Sequence, residues 1–287
     1  MSTIEKADDK FAGTQLSPSK DQTYDTPLLA PGKLAPKSDE NDSVANQLAP
    51  TLNLDKNKMR SLALLLPDMG NSVLAEQYRK LKHPLLRKIN TSNTNASLKN
   101  MIMVTSALEG EGKSYTATNL ALSIAMELDH TALLVDVDSR KNTVSNLLGI
   151  SADPGLTNYL CSDEVSVKNI IYSTDIPKLK IIPAGDPELF STESATSTKM
   201  KQFLEELSSR YPDRVIILDT PPLMLSAIAK VLAYMVGQVV MVVEAEKTPV
   251  AVIEEATNHL DAERFSGFIL NKTNLAGSTE SLYGSYG

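Results

Sequence analysis

The residues of this chain best equipped for chemistry are Ala107-Leu108-Glu109-Gly110-Glu111-Gly112-Lys113-Ser114. Two glycines ahead of a Lys-Ser pair have the spacing of a phosphate-binding loop. Glycine lets the backbone curl until successive N–H groups converge on an anion. Lys113 is long enough to reach the outer phosphates, and the Ser114 hydroxyl suits a magnesium ion. Tyr115 follows directly, so its backbone amide borders the same site. Two acidic motifs fit this chemistry. Leu133-Leu134-Val135-Asp136-Val137-Asp138-Ser139-Arg140 puts Asp136 and Asp138 on one side of an extended strand. Such a pair can hold a metal through water or accept a proton from an attacking hydroxyl. Val215-Ile216-Ile217-Leu218-Asp219-Thr220-Pro221-Pro222 ends an apolar strand on Asp219, the usual place of the second carboxylate near magnesium in phosphate-loop enzymes.

These residues need strands that end side by side and a helix that starts at the loop. Met101–Thr105 reads as a buried strand before the loop, and Tyr115–Leu128 as an amphipathic helix after it. The N-terminal end of that helix adds a positive dipole to the anion site. Further strands are predicted at Ala132–Val137, Leu179–Ile182, Val215–Leu218, Val239–Val243 and Phe268–Leu270. Helices are predicted at Val144–Leu148, Lys199–Arg210, Ala227–Tyr234 and Pro249–Leu260. Continuous Val/Ile/Leu/Met strands imply a sheet covered on both faces. Their alternation with helices implies an α/β phosphate-loop NTPase fold with a mostly parallel sheet. Every motif then falls at a carboxyl end of a strand, where such sheets bind ligands. Upstream, Ser72–Leu86 is predicted helical, with Val73, Leu74, Tyr78, Leu81 and Leu85 near one face and Pro84 marking its end.

A chain of 287 residues, 42% hydrophobic, suffices for one sizeable core and a tail. Residues 1–55, rich in Ser, Thr, Asp, Lys and Pro, are expected to be disordered. Residues 56–97 are expected to form a linker and oligomerisation helix, 98–272 the phosphate-loop domain, and 273–287 a flexible tyrosine-bearing tail. The single cysteine, Cys161, fits a reducing compartment. No signal segment opens the chain. The longest apolar region, Val215 to Val243, is broken by Asp219, Pro221-Pro222 and Lys230, so it does not read as a membrane span. The expectation is a cytoplasmic protein. A net charge of −7 argues against nucleic acid as a partner. Between Lys56 and Lys99, however, Arg60, Arg79, Lys80, Lys82, Arg87 and Lys88 are opposed only by Asp68 and Glu76. This is either a solvated helix face or a contact for another subunit, anionic lipid or an acidic partner.

The loop ending Gly-Glu-Gly-Lys-Ser, the Leu-Leu-Val-Asp-x-Asp-x-Arg strand and the Ile-Leu-Asp-Thr-Pro-Pro strand together resemble the bacterial protein-tyrosine kinases (BY-kinases) of exopolysaccharide export. Val239–Glu244 with Thr248-Pro249, and Gly267–Lys272, continue the resemblance in order over about residues 70–287. In detail it is similar to the exosortase-associated autokinase branch. The resemblance implies a kinase using ATP and Mg2+. Lys113, Ser114 and the loop amides from Ala107 to Tyr115 would hold the phosphates, with Ser114, Asp138 and Asp219 near the metal. Asp136, Asp138 and Asp219 would share metal positioning and activation of the tyrosine hydroxyl. Which of them takes the proton stays open, with Asp136 favoured. Asn271 is either a purine-reading residue or a turn asparagine.

That family autophosphorylates in trans on C-terminal tyrosines, and Tyr283 and Tyr286, two of nine tyrosines, resemble a minimal cluster. An extended chain from Asn271 to Tyr283 spans roughly 40 Å at about 3.3 Å per residue, enough to enter a neighbouring subunit. Glu76-Gln77-Tyr78-Arg79-Lys80-Leu81-Lys82 is similar to the family's Glu-x-x-Arg-x-x-Arg oligomerisation helix. Glu76, Arg79 and Lys82 are expected to form one charged stripe, with lysine lacking arginine's bidentate fork. The implied partners are further copies of the chain in a homo-oligomer, a tyrosine phosphatase, and an inner-membrane polysaccharide co-polymerase. The last would activate the kinase and recruit it to the inner face of the cell membrane.

Two details depart from the family pattern. Tyr115 stands where many relatives carry a small hydroxyl residue. The stretch Gly185 to Thr198 differs from the loop expected there, and its Ser/Thr cluster most simply caps the helix near Lys199. Two rival functions share the fold. A spatial-organiser ATPase of the partition or division-placement kind usually carries a lysine four residues before the loop's last glycine, where this chain has Leu108. A non-catalytic nucleotide-binding scaffold is opposed by the intact Lys113, Ser114 and three aspartates. A dinucleotide site is disfavoured because the loop has no Gly-x-Gly-x-x-Gly.

Overall fold

The computed structural model describes residues 50–91, 98–189, 197–210 and 213–273. Its strands are β1 (Thr51–Leu52), β2 (Met101–Ser106), β3 (Thr131–Asp136), β4 (Tyr172–Thr174), β5 (Leu179–Ile182), β6 (Arg214–Asp219), β7 (Gln238–Glu244) and β8 (Phe265–Asn271). They form one sheet in the order β1-β4-β5-β3-β6-β2-β7-β8. All neighbours run parallel except β4 and β5. The helices are α1 (Lys56–Ser61), α2 (Val73–Thr91), α3 (Lys113–Ala125), α4 (Thr143–Leu148), α5 (Leu156–Cys161), α6 (Val167–Ile170), α7 (Thr198–Arg210), α8 (Ala227–Ala233) and α9 (Val250–Thr257). No helix among the described residues is long and apolar enough to cross a membrane.

The sheet divides the core in two, as the continuous apolar strands predict. Met101 and Met103 of β2, with Leu133, Val135, Ile216 and Leu218, pack on the side that carries Phe203, Leu204 and Leu207 of α7 and Ile228 and Leu232 of α8. Ile102 and Val104, with Leu134 and Ile217, face the opposite side and meet α2, α3 and α4. Every residue of β2 and β6 is buried, which a strand covered on both faces requires. At ~1.5–3 kcal/mol per large apolar side chain removed from water, these central strands form the rigid frame on which the loops are mounted. Ser197 caps α7 by accepting from the Met200 N–H at 3.2 Å, as the Ser/Thr cluster suggested; residues 190–196 lie outside the described residues.

Three expectations need correction. First, order begins before residue 56. β1 pairs with β4, Leu54 is buried, and the Leu54 N–H donates to Asp175 Oδ1 at 3.1 Å. Such short segments are held by tertiary contacts and carry no readable period. Second, Pro84 does not end its helix, since α2 runs on to Thr91. Leu85 and Ile89 bury themselves against the sheet, and that packing outweighs the ~3 kcal/mol that an interior proline costs. Third, Lys82 does not share an exposed stripe with Glu76 and Arg79. Steps of three residues drift around a helix of 3.6 per turn, so Lys82 turns inward. It is 4% exposed. Its ammonium donates to the Ser123 carbonyl at 2.7 Å and pairs with Glu127 at 2.5 Å. Lys82 therefore caps the carboxyl end of α3, where unpaired carbonyls favour a cation. Glu76 and Arg79 remain half-exposed and paired with each other.

Candidate active site

β3, β6 and β2 are consecutive neighbours, so the three chemical motifs leave the sheet along one edge. Asp136 lies in register with Asp219, and Asp219 with Val104 of the strand that enters the loop. Threonines lock this arrangement. Thr105 Oγ1 donates to the Pro221 carbonyl at 3.0 Å, and Thr220 Oγ1 to the Val104 carbonyl at 3.1 Å. The Asp-Thr-Pro-Pro turn is thereby tied to the strand before the phosphate-binding loop, which fixes the height of Asp219.

The loop itself has the required backbone. Gly110 and Gly112 adopt φ of +82° and +95°, a region that side chains disfavour. Gly112 is the left-handed residue from which α3 starts. Glu111 points inward and is buried. Its Oε2 accepts from the Leu108 N–H at 2.6 Å, and its Oε1 accepts from Thr248 Oγ1 and from the Glu244 N–H at 3.4 Å. A single buried carboxylate thus closes the loop and ties it to the end of β7. From β8, Asn271 donates its Nδ2 to the Glu111 carbonyl at 2.9 Å. A Cβ on Gly112 would stand 2.0 Å from that same Nδ2, so glycine is needed there for space as well as for φ.

Lys113 Nζ lies 2.6 Å from Asp138 Oδ2, 3.9 Å from Asp219 Oδ1 and 3.3 Å from Ser114 Oγ. Burial pulls the Lys113 ammonium down, but Asp219 and Asp138 outweigh it and raise the group above its ordinary value. Two further aspartates lie deeper in the site. Asp136 is fully buried. Its oxygens accept from the Asp138 N–H at 3.1 Å and the Val144 N–H at 3.3 Å. Burial, with Asp219 and Asp138 close by, pushes it well above the usual carboxylate range. Asp219 is also fully buried, and burial raises it to about 6 against the pull of Lys113 and Ser114. Among the described residues neither of its oxygens accepts a hydrogen bond of normal geometry, although Ser114 lies close enough to lower it.

That orphaned pair of oxygens is what a magnesium site needs. Magnesium takes oxygen ligands and is commonly held by one or two carboxylates together with substrate phosphates. Asp219, the Ser114 hydroxyl and Asp138 supply hard oxygen donors around Lys113, so the residues present fit the ion. A cleft of about 250 Å³ opens beside them, lined by Gly110, Gly112, Lys113, Ser114, Tyr115 and Asp138, with Lys141, Thr143 and Leu147 completing its wall. Tyr115 is anchored sideways, its hydroxyl donating to the Ala63 carbonyl at 2.7 Å. Ala107 is buried beneath the loop, whereas Glu109 is exposed and pairs with Lys141 at 2.8 Å.

The structure therefore brings together Lys113, Ser114, Asp136, Asp138 and Asp219, with the loop from Ala107 to Tyr115 and Asn271 against it. It separates Glu76, Arg79 and Lys82 from this group. Tyr283 and Tyr286 lie outside the described residues. Sequence reading missed the roles of Thr105, Thr220 and Thr248 as ties and of Lys141 as a wall of the cleft. Only Thr220 and Thr248 stood in recognisable motifs.

Comparison with known proteins places the chain in a family. The AAA domain family matches residues 99–264. The tyrosine-protein kinase CpsD of Streptococcus agalactiae is 33% identical over 190 residues, covering 65% of this chain and 81% of CpsD. The tyrosine-protein kinase YwqD of Bacillus subtilis (strain 168) is 31% identical over 218 residues, covering 75% of this chain and 87% of YwqD. Among solved structures, the VpsO kinase domain aligns with a TM-score of 0.54 at 33% identity, covering 71% of this chain and all of that domain. With its ATP-binding phosphate loop and parallel sheet, the chain belongs to the bacterial tyrosine-protein kinase family and is a protein-tyrosine kinase.

Proposed function

We propose that this kinase uses Mg–ATP to phosphorylate Tyr283 and Tyr286 of another copy of itself, and that the modification regulates assembly and export of an exopolysaccharide. The observation that carries the reading is the contact of Lys113 with Asp138 in the wall of the cleft. A lysine held between carboxylates is stored where the outer phosphates of a nucleotide will lie. When ATP enters, phosphate oxygens replace Asp138 as its partner. The loop N–H groups would hold the phosphates, and the Ser114 hydroxyl and Asp219 would hold magnesium beside them. When bound, that ion neutralises phosphate charge and aligns the γ-phosphoryl group for in-line transfer.

The carboxylate released from Lys113 is Asp138, and it faces the cleft. We assign it, rather than Asp136, as acceptor of the tyrosine proton. The tyrosine oxygen forms its bond to the γ-phosphorus as the bond from that phosphorus to the bridging oxygen of ADP breaks. The phenolic proton passes to Asp138. Asp136, with both oxygens engaged by backbone N–H groups, positions the turn that carries Asp138. An inner-membrane co-polymerase is the proposed activator, drawing the chain to the inner face of the cell membrane. The half-exposed Glu76–Arg79 pair is the proposed surface for pairing with further copies, and a phosphatase resets the tail.

Transfer between copies is tested by mixing two variants with Mg–ATP. One carries Lys113→Met with both tyrosines intact, and the other is active at the loop but carries Tyr283→Phe and Tyr286→Phe. Phosphate on the Lys113→Met chain is expected. No phosphate in the mixture, while wild type labels itself, overturns transfer in trans.

A further inference from the structure

Two residues at the end of β8 donate to backbone carbonyls of the phosphate-binding loop. Lys272 Nζ donates to the Gly110 carbonyl at 2.7 Å. Asn271 Nδ2 donates to the next carbonyl, that of Glu111, at 2.9 Å. The Gly110 carbonyl belongs to the same peptide unit as the Glu111 N–H, and the Glu111 carbonyl to the same unit as the Gly112 N–H. Both peptide units therefore have their negative ends occupied, one of them by a full positive charge. Hydrogen bonding at one end of an amide polarises it and strengthens the donor at the other. Bonds to an ionised partner are roughly twice as strong as neutral ones.

Lys272 is not an ordinary surface lysine. Its backbone holds φ at +57°, a conformation uncommon outside glycine that persists where its surroundings impose it. Its ammonium is steadied by Glu244 Oε2 at 3.1 Å, and Glu244 in turn is joined through its N–H to Glu111. The carboxyl of Glu244 is held below its usual range first by Lys272, with Lys247 adding to the effect and burial opposing it. The ends of β7 and β8 thus form one polar brace against the loop.

We infer that Lys272 is a positioning residue for nucleotide phosphate: through the Gly110 carbonyl it polarises and orients the loop amides that bind the anion, with Asn271 doing the same one peptide further on. Lys272 touches no substrate in this role, and its effect is independent of the base. The inference rests on the ATP site proposed above.

The test titrates the full chain and its Lys272→Met and Lys272→Arg variants with Mg–ADP and, separately, with magnesium tripolyphosphate, using calorimetry. Loss of a charged hydrogen bond to the loop is expected to weaken both ligands roughly tenfold in Lys272→Met. Lys272→Arg, which keeps the donor, is expected to restore most of the affinity. Autophosphorylation by Lys272→Met should show a raised KM for ATP with kcat little changed. All three proteins should melt together, because the Lys272 side chain is half-exposed. Equal affinity of Lys272→Met and wild type for both ligands overturns the inference. Weakening toward Mg–ADP alone also overturns it, since Lys272 would then act on the nucleoside. Failure of the wild type to bind Mg–ADP removes the ATP site itself, and the inference with it.

Discussion

Asp219 is a carboxylate held where charge is costly, and the cost has a pH signature. Its folded value of about 6 lies above the 3.8 of an ordinary aspartate. The native state therefore binds the extra proton, so this group's contribution is fully present below pH ~4 and is lost as pH rises through ~6. The rise is worth ~3 kcal/mol. Without nucleotide, Asp219→Asn should melt higher than wild type at pH 8 and level with it near pH 4, while phosphotransfer falls about a hundredfold or more. A melting curve that loses stability at pH 8 on this substitution would contradict the burial argument. Gly112→Ala should abolish nucleotide binding, because it meets both the φ of +95° and the Asn271 amide. Lys113, Ser114, Asp138 and Asp219 were legible in the sequence because their chemistry is local to three motifs. The Glu111–Thr248 and Lys272–Gly110 bonds were not, since they join residues 137 and 162 positions apart.

Helix α2 shows why elements are harder to read than motifs. Its apolar spacing was legible and its existence followed. Its end was not, because Pro84 is overruled by the burial of Leu85 and Ile89. Lys82 reads as surface by residue type, yet it serves the last turn of α3 through the Ser123 carbonyl. Lys82→Ala should lower stability by ~2 kcal/mol, as expected for losing a buried charged hydrogen bond, and the loss should not vary with protein concentration. Unchanged stability with altered sedimentation would return Lys82 to the subunit contact. On the same face, Asn119 Oδ1 accepts from the buried Leu65 N–H at 2.8 Å and fastens the segment before α2 to α3. Asn119→Ala should cost ~1–3 kcal/mol by leaving that N–H unsatisfied, readable as a lower denaturant midpoint. No periodic pattern announces this segment, or the two-residue β1.

At the scale of the molecule, the class of fold was legible because the central strands are continuous apolar runs separated by helices. The strand order was not. Placing β6 between β3 and β2 brings the three acidic positions beside the loop, and nothing local to any strand encodes that neighbour choice. β4 also escaped, since it has only three residues, although its antiparallel partner β5 was read at Leu179–Ile182. If the proposed tail phosphorylation acts on assembly, about −1.5 to −2 of charge per tyrosine should loosen an oligomer. Phosphorylated wild type should then sediment more slowly than Lys113→Met at matched concentration, and identical sedimentation would reject that regulation. The central claim is transfer from Mg–ATP to the tail, and the most direct measurement is mass spectrometry of the C-terminal tryptic peptide, residues 273–287, after incubation with Mg–ATP, for wild type and Lys113→Met, each with and without the cytoplasmic part of the co-polymerase. Phosphate on Tyr283 or Tyr286 in the wild type and not in Lys113→Met is the predicted result. An unmodified peptide from wild type that demonstrably binds ATP, activator present, would contradict it.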